Sequence, residues 1–142
     1  MVKRHFQLLA VSLFLSVSMF VWNIEYIIPK LSSACYVMRS IKQIMPINTL
    51  KTGYYSLFNE TVTYGLPFWG NSPHSTKIFK MQKRIVRIMM GYRNRVSCRS
   101  LFKKLEILPL TSQYILLLML FVVKNKLFFI LNTENHNKVQ DN

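Results

Sequence analysis

The sequence predicts an all-α chain: about five helices in a small irregular bundle, preceded by an apolar N-terminal helix. Three observations lead there. Apolar residues recur at spacings of three and four through most of the chain, the rhythm of a helix with one buried face. Pro46, Gly65, Pro67, Gly70, Pro73, Gly91 and Pro109 fall between these stretches and punctuate them. No run alternates apolar and polar residues as a half-buried strand does. At 142 residues the chain holds at most one small domain with extensions. It divides into an apolar segment (1–21), a helical region (22–131) and a polar tail (132–142) that should fray.

In the first segment Lys3, Arg4 and His5 precede an apolar run from Phe6 to Trp22, broken only by Gln7 and three serines. This is the layout of a signal peptide, with Ser16-Val17-Ser18 as a poor cleavage site. The run falls slightly short of the ~20 residues that a membrane span needs. It reads as a signal anchor, as a buried helix, or as the arbitrary start of a truncated reading frame. The sequon Asn59-Glu60-Thr61 adds little to a secretory reading, because it lies inside a predicted helix.

The first helix of the main region is expected over Ile27–Met45, with Ile27, Leu31, Ala34, Cys35, Met38, Ile41 and Met45 on one face and Pro29 in its first turn. A second, opening at Pro46 or Asn48, carries the stripe Ile47, Leu50, Tyr54, Leu57, Thr61 and Tyr64. Gly65 to Pro73 reads as a breaker-rich loop. Ser75 is the expected N-cap of a third helix that closes on Gly91. Ser97 is expected to cap a short fourth helix through Leu105. A fifth runs from Pro109 or Thr111 to about Lys126, and its Tyr114–Val123 centre is apolar on every side, which predicts burial.

Nineteen Lys and Arg against five Asp and Glu give a formal net charge of +14, which attracts nucleic acid or an anionic membrane surface. The acids Glu25, Glu60, Glu106, Glu134 and Asp141 stand alone in sequence. Two-metal phosphoryl chemistry needs several converging carboxylates, and general acid/base pairs need two. The acids supply neither, so the chain is expected to be no enzyme. Cys35 and Cys98 form no C-x-x-C pair and show no ligand spacing with His5, His74 or His136, so no metal or cofactor is expected and both read as buried free thiols.

The third helix carries the most information. At 100° per residue, Lys77, Lys80, Lys83, Arg84 and Arg87 share about a third of the helix circumference. Ile78, Met81, Ile85, Ile88 and Met89 centre on the other side, expected to pack on the second helix and on Tyr114–Val123. Arg93, Arg95, Arg99, Lys103 and Lys104 extend the charge, making ten cations in 28 residues without one acid. Solvated faces usually mix both signs. A membrane surface or nucleic-acid phosphates fit such a helix. The arginines from Arg84 to Arg99 favour phosphate, because the planar guanidinium binds it bidentately. The candidate nucleic-acid-binding residues are therefore Lys77, Lys80, Lys83, Arg84, Arg87, Arg93 and Arg95. Tyr54, Tyr55, Phe58, Tyr64, Phe68 and Trp69 have the chemistry to stack on bases, although their helical spacing suits core.

Several segments together resemble one protein family. They are Leu31-Ser32-Ser33-Ala34-Cys35-Tyr36, Tyr64-Gly65 with Phe68-Trp69-Gly70-Asn71-Ser72, Gln82-Lys83-Arg84-Ile85-Val86-Arg87-Ile88-Met89, Cys98-Arg99-Ser100-Leu101-Phe102 and Leu105-Glu106-Ile107-Leu108-Pro109-Leu110. From about Trp22 to Asn137 they resemble the region just downstream of the catalytic palm in reverse transcriptases of arthropod non-LTR retrotransposons of the jockey type. The resemblance implies a helical thumb and its continuation beside an RNA/DNA duplex. The palm aspartates of that family have no matching positions here, and its pattern breaks before Trp22. What it implies is a catalytically inert fragment of an RNA-directed DNA polymerase lineage, with weak, sequence-independent nucleic-acid binding and no small-molecule substrate. Intracellular residence is then expected. The alternatives are a small basic protein anchored in a membrane by Phe6–Trp22, a relic without selected function, or a helper of an intact element's polymerase in trans.

Overall fold

The computed structural model describes residues 24–124, and every regular element among them is helical. The N-terminal apolar run, the expected end of the last helix near Lys126 and the polar tail lie outside the described residues. The first helix, α1 (residues 24–41), buries Ile24, Ile27, Leu31, Ala34, Cys35 and Met38 on the face the sequence marks. It ends sooner than Met45. A turn over 42–45 follows, and Met45 is exposed, because Pro46 disfavours helical geometry in the residue before it.

The second helix differs from its expected stripe. It is α2 (Ile47–Tyr54), then a π-helical stretch (Tyr55–Asn59), then α3 (Glu60–Thr63). The buried positions are Leu50, Tyr54, Phe58, Val62 and, past α3, Leu66, each four residues from the last. In an unbroken α-helix a period of four drifts about 40° per step off the buried face. The wider π turn takes up an extra residue and brings the series back. Ile47, Leu57 and Tyr64, assigned inward by a 3.6-residue period, therefore face out. The Tyr54 and Phe58 rings stack in the core with centroids 5.5 Å apart.

The breaker-rich stretch holds a further helix, α4 (Leu66–Trp69), in place of a plain loop. Pro67 sits in its first turn, where no helical N–H partner is lost, so Leu66 and Trp69 are delivered into the core. Then come α5 (His74–Met90), α6 (Arg99–Leu105) and α7 (Leu110–Lys124). Ser75 does not cap α5. The N-cap is Pro73, two residues earlier, and the Ser75 hydroxyl donates to the Ser72 carbonyl at 2.8 Å. Nor does Ser97 cap α6, whose N-cap is Cys98 without a side-chain bond.

Both α5 and α6 end in a Schellman turn. Gly91, at φ 76°, closes α5 as expected, with the Tyr92 amide donating to Arg87 O at 2.9 Å. Glu106, a non-glycine residue at φ 56°, closes α6, with the Ile107 amide donating to Phe102 O at 3.0 Å. Lys51 of α2 meets the Glu106 carboxylate at 2.9 Å, and the Tyr55 hydroxyl donates to its carbonyl at 3.4 Å.

The apolar side of α5 packs on α2, on α6 and on the first turns of α7, with α1 alongside, where the Cys35 thiol approaches Met81 O at 4.0 Å. Cys35 and Cys98 are free and buried. The expected burial of Tyr114–Val123 does not hold. Leu110 is buried, and Gln113, Tyr114 and Leu117 are half-buried. Ile115, Leu116 and all positions from Leu118 to Val123 are exposed, Met119 at 61 %. The first turns of α7 dock on α4 and α5, while its later turns are largely exposed. No single described helix is long and apolar enough to cross a membrane. The bent pair α6 and α7, at 59°, passes that test together by length and composition.

Candidate nucleic-acid interface

The cations of α5 take their direction from its core face. Ile78, Gln82, Ile85, Val86 and Met89 are buried, which turns the opposite arc to solvent. Lys77, Lys80 and Arg84 stand exposed on that arc, and Lys83 and Arg87 at its edge are half-buried. Lys83 Nζ lies 4.6 Å from the centroid of the Phe79 ring, its stem laid along apolar surface as lysines commonly do.

Arg87 has a second role that its sequence position does not disclose. Its Nε donates to Val96 O at 2.8 Å, while the Cys98 thiol reaches Lys83 O at 3.5 Å. The connection after Gly91 is thereby folded back along α5, and exposed Arg93 and Arg95 ride on it. The seven expected residues thus occupy one helix and the loop tied to it. Arg99, Lys103 and Lys104 continue the charge as exposed residues of α6.

Two further cations join, Arg39 from α1 and Lys42 from the turn after it. Arg39 and Arg84 both act on the Cys35 thiol, and Lys42 Nζ sits beside Gly91. Arg39 and Lys42 are spaced by three in the sequence and follow directly on the apolar positions Met38 and Ile41, one polar row beside the apolar one. Burial pushes the Cys35 thiol up, with Arg84 and then Arg39 opposing. Burial likewise raises Cys98 against the opposing pull of Arg87 and Lys83. Neither thiol is activated as a nucleophile.

Among the described residues none of these cations forms an ion pair. Lys51–Glu106, at 2.9 Å, is the one ion pair among the described residues. Lys51 holds the Glu106 carboxyl below its usual range, first through their hydrogen bond and then through its charge. Among the described residues no three His, Cys, Asp or Glu side chains gather as a metal site requires. The candidate stacking aromatics divide: Tyr54, Phe58 and Trp69 are core, whereas Tyr55, Tyr64 and Phe68 reach the surface. Compared with protein-family models, curated proteins and solved structures, the chain matches none.

Proposed function

We propose that the chain binds nucleic acid without sequence preference through the cationic arc of α5 and the Arg93–Arg95 loop, and carries out no catalysis itself. One observation carries the reading: from Lys77 to Lys104 the surface holds ten cations and no acid, and none of them is paired within the described residues. Unpaired cations fixed on a rigid helix release counterions when they meet phosphate, which favours a polyanion over an isolated anion. The arginine share of the array favours phosphate oxygens as the contacts.

The all-α architecture and the resemblance to the post-palm region of a non-LTR retrotransposon reverse transcriptase support the same reading. In that lineage the corresponding surface faces the template–primer duplex, and the carboxylates that perform polymerisation belong to another part of the enzyme.

The test is charge reversal on the exposed arc. Lys77→Glu, Lys80→Glu and Arg84→Glu together should abolish retention of an RNA/DNA duplex while leaving the thermal midpoint nearly unchanged, since all three side chains are exposed. Arg87 is left intact because its bond to Val96 O shapes the loop. Unaltered duplex retention in the triple variant, or binding confined to phosphatidylserine vesicles, would refute the reading.

A further inference from the structure

We infer that an open cleft beside α6 takes an unpaired nucleobase, from a single-stranded extension of the nucleic acid whose phosphates lie on α5. The inference rests on the phosphate-binding reading and adds a second kind of contact to it. The cleft has a volume of about 440 Å³, within the range of small-molecule sites.

One wall is a side of α6. Arg99, Phe102, Lys103 and the C-cap Glu106 are spaced by three and four, which sets them on one side of the helix, and all line the cleft. The other wall is the connection that follows. Glu106, at φ 56°, turns the chain back, and Ile107, Leu108 and Pro109 border the same space. This wall is fixed, because the Leu108 carbonyl accepts from Gln82 Nε2 at 3.0 Å and from Gln113 Nε2 at 2.8 Å. A rigid slot binds without the entropy cost of ordering its walls.

The lining is carbon with charge of one sign. Glu106, its one acid, gives its carboxylate to Lys51 at 2.9 Å, whereas Arg99 and Lys103 form no ion pair among the described residues. Apolar walls beside two such cations suit a flat ring that carries an anion on a short linker, which is the chemistry of a nucleotide. The base covers its apolar faces on entering. Its polar edges keep their water, because Leu108 at the lip is 48 % exposed and the slot is open. No base edge is then read, in keeping with binding without sequence preference.

The cleft also adjoins the α5 array. Lys83 Nζ lies 4.6 Å from the centroid of the Phe79 ring, and that ring stacks on Phe102 at 6.3 Å. Two stacked rings thus separate an α5 cation from the cleft. A strand held on α5 places its unpaired end there, with the phosphates following on Arg99 and Lys103.

The test uses the full chain and an RNA/DNA duplex with a three-nucleotide 3′ DNA extension, against the same duplex with an abasic extension. Both carry the same number of phosphates, so only the bases distinguish them. The extension with bases should bind about fivefold tighter, the lower end of what base stacking on a protein contributes. Leu108→Ser, which trims the lip and keeps the carbonyl, should bring that ratio close to one. Photo-cross-links to the unaltered chain from 5-iodouracil in the extension should map within residues 99–109, a result that no variant's folding affects. Equal affinity for extensions with and without bases would overturn the proposal and leave phosphate binding standing. So would cross-links confined to residues outside 99–109. Failure to retain even the blunt duplex would overturn both readings.

Discussion

Gln82 donates from Nε2 to the Tyr54 hydroxyl at 2.9 Å, deep in the core and 28 residues away in sequence. The same amide nitrogen donates to Leu108 O at 3.0 Å, and Oε1 accepts from the Leu110 amide at 2.8 Å. One side chain on the inner face of α5 thus fastens α2 and the α6–α7 connection together. Through that connection it sets where α7 starts.

Gln82→Leu should therefore cost more than its gain in apolar volume returns. It strands the buried Leu110 amide and removes the donor to the Tyr54 hydroxyl, while the Leu108 carbonyl keeps Gln113 Nε2 at 2.8 Å. A buried unsatisfied group costs about 1–3 kcal/mol. A loss of roughly 2–4 kcal/mol is expected in urea unfolding. Combining it with Tyr54→Phe should recover about 1 kcal/mol of coupling in a double-mutant cycle. Strict additivity would show that the Gln82–Tyr54 bond is not formed.

Tyr54 should make the fold sensitive to alkali. Burial pushes its phenol up to about 12, against the opposing hydrogen bond from Gln82. In the unfolded chain the phenol titrates near 10. A folded value above the unfolded one means that this stabilisation is complete below pH ~10 and is lost as pH rises toward ~12. The difference in unfolding free energy between the unaltered chain and Tyr54→Phe should therefore shrink by about 2–3 kcal/mol across that window. A difference independent of pH would place the hydroxyl in contact with water.

Two glycines should resist substitution for different reasons. A Cβ on Gly70 would collide with the Tyr114 ring and lie 2.7 Å from the Leu66 carbonyl oxygen. Since α7 docks through Tyr114, Gly70→Ala should destabilise by about 1–3 kcal/mol, as overpacked sites do. Gly91→Ala meets its penalty in the backbone, at φ 76°, with an expected cost of about 1–2 kcal/mol. Calorimetric midpoints that do not fall would contradict both assignments.

The two cysteines should be slow to label while the chain is folded. Both are buried, and burial raises both thiols above their ordinary value, so little thiolate is present near pH 8. Thiol reagent should react in step with unfolding as urea is added. Fast reaction in native buffer at either position would mean that its helix opens readily.

The sequence made the cationic arc of α5 legible because charge and periodicity coincide there. Lys77, Lys80 and Arg84 are placed outward by the same 3.6-residue repeat that buries Ile78 and Ile85. The π turn was hidden, because a series spaced by four and one spaced by 3.6 share Leu50 and Tyr54 before they part at Phe58. Gln82 was hidden for a different reason: its partners Tyr54, Leu108 and Leu110 are brought together by tertiary packing alone. The exposure of α7 was illegible too. An all-round apolar helix does not say which of its turns are covered, and only the packing shows that α4 and α5 take the first ones. At the site, the tie from Arg87 to Val96 explains why Arg93 and Arg95 belong with α5, a relation that no spacing encodes.

The most direct test is the salt dependence of duplex binding by the full chain. If about five phosphates are neutralised, log affinity should fall linearly with log salt at a slope near −4 to −5. In Lys77→Glu, Lys80→Glu, Arg84→Glu the slope should flatten by about 3 units or binding should vanish, with unfolding unchanged. Affinity that ignores salt, or a slope identical in the variant, would contradict a phosphate-binding surface on α5.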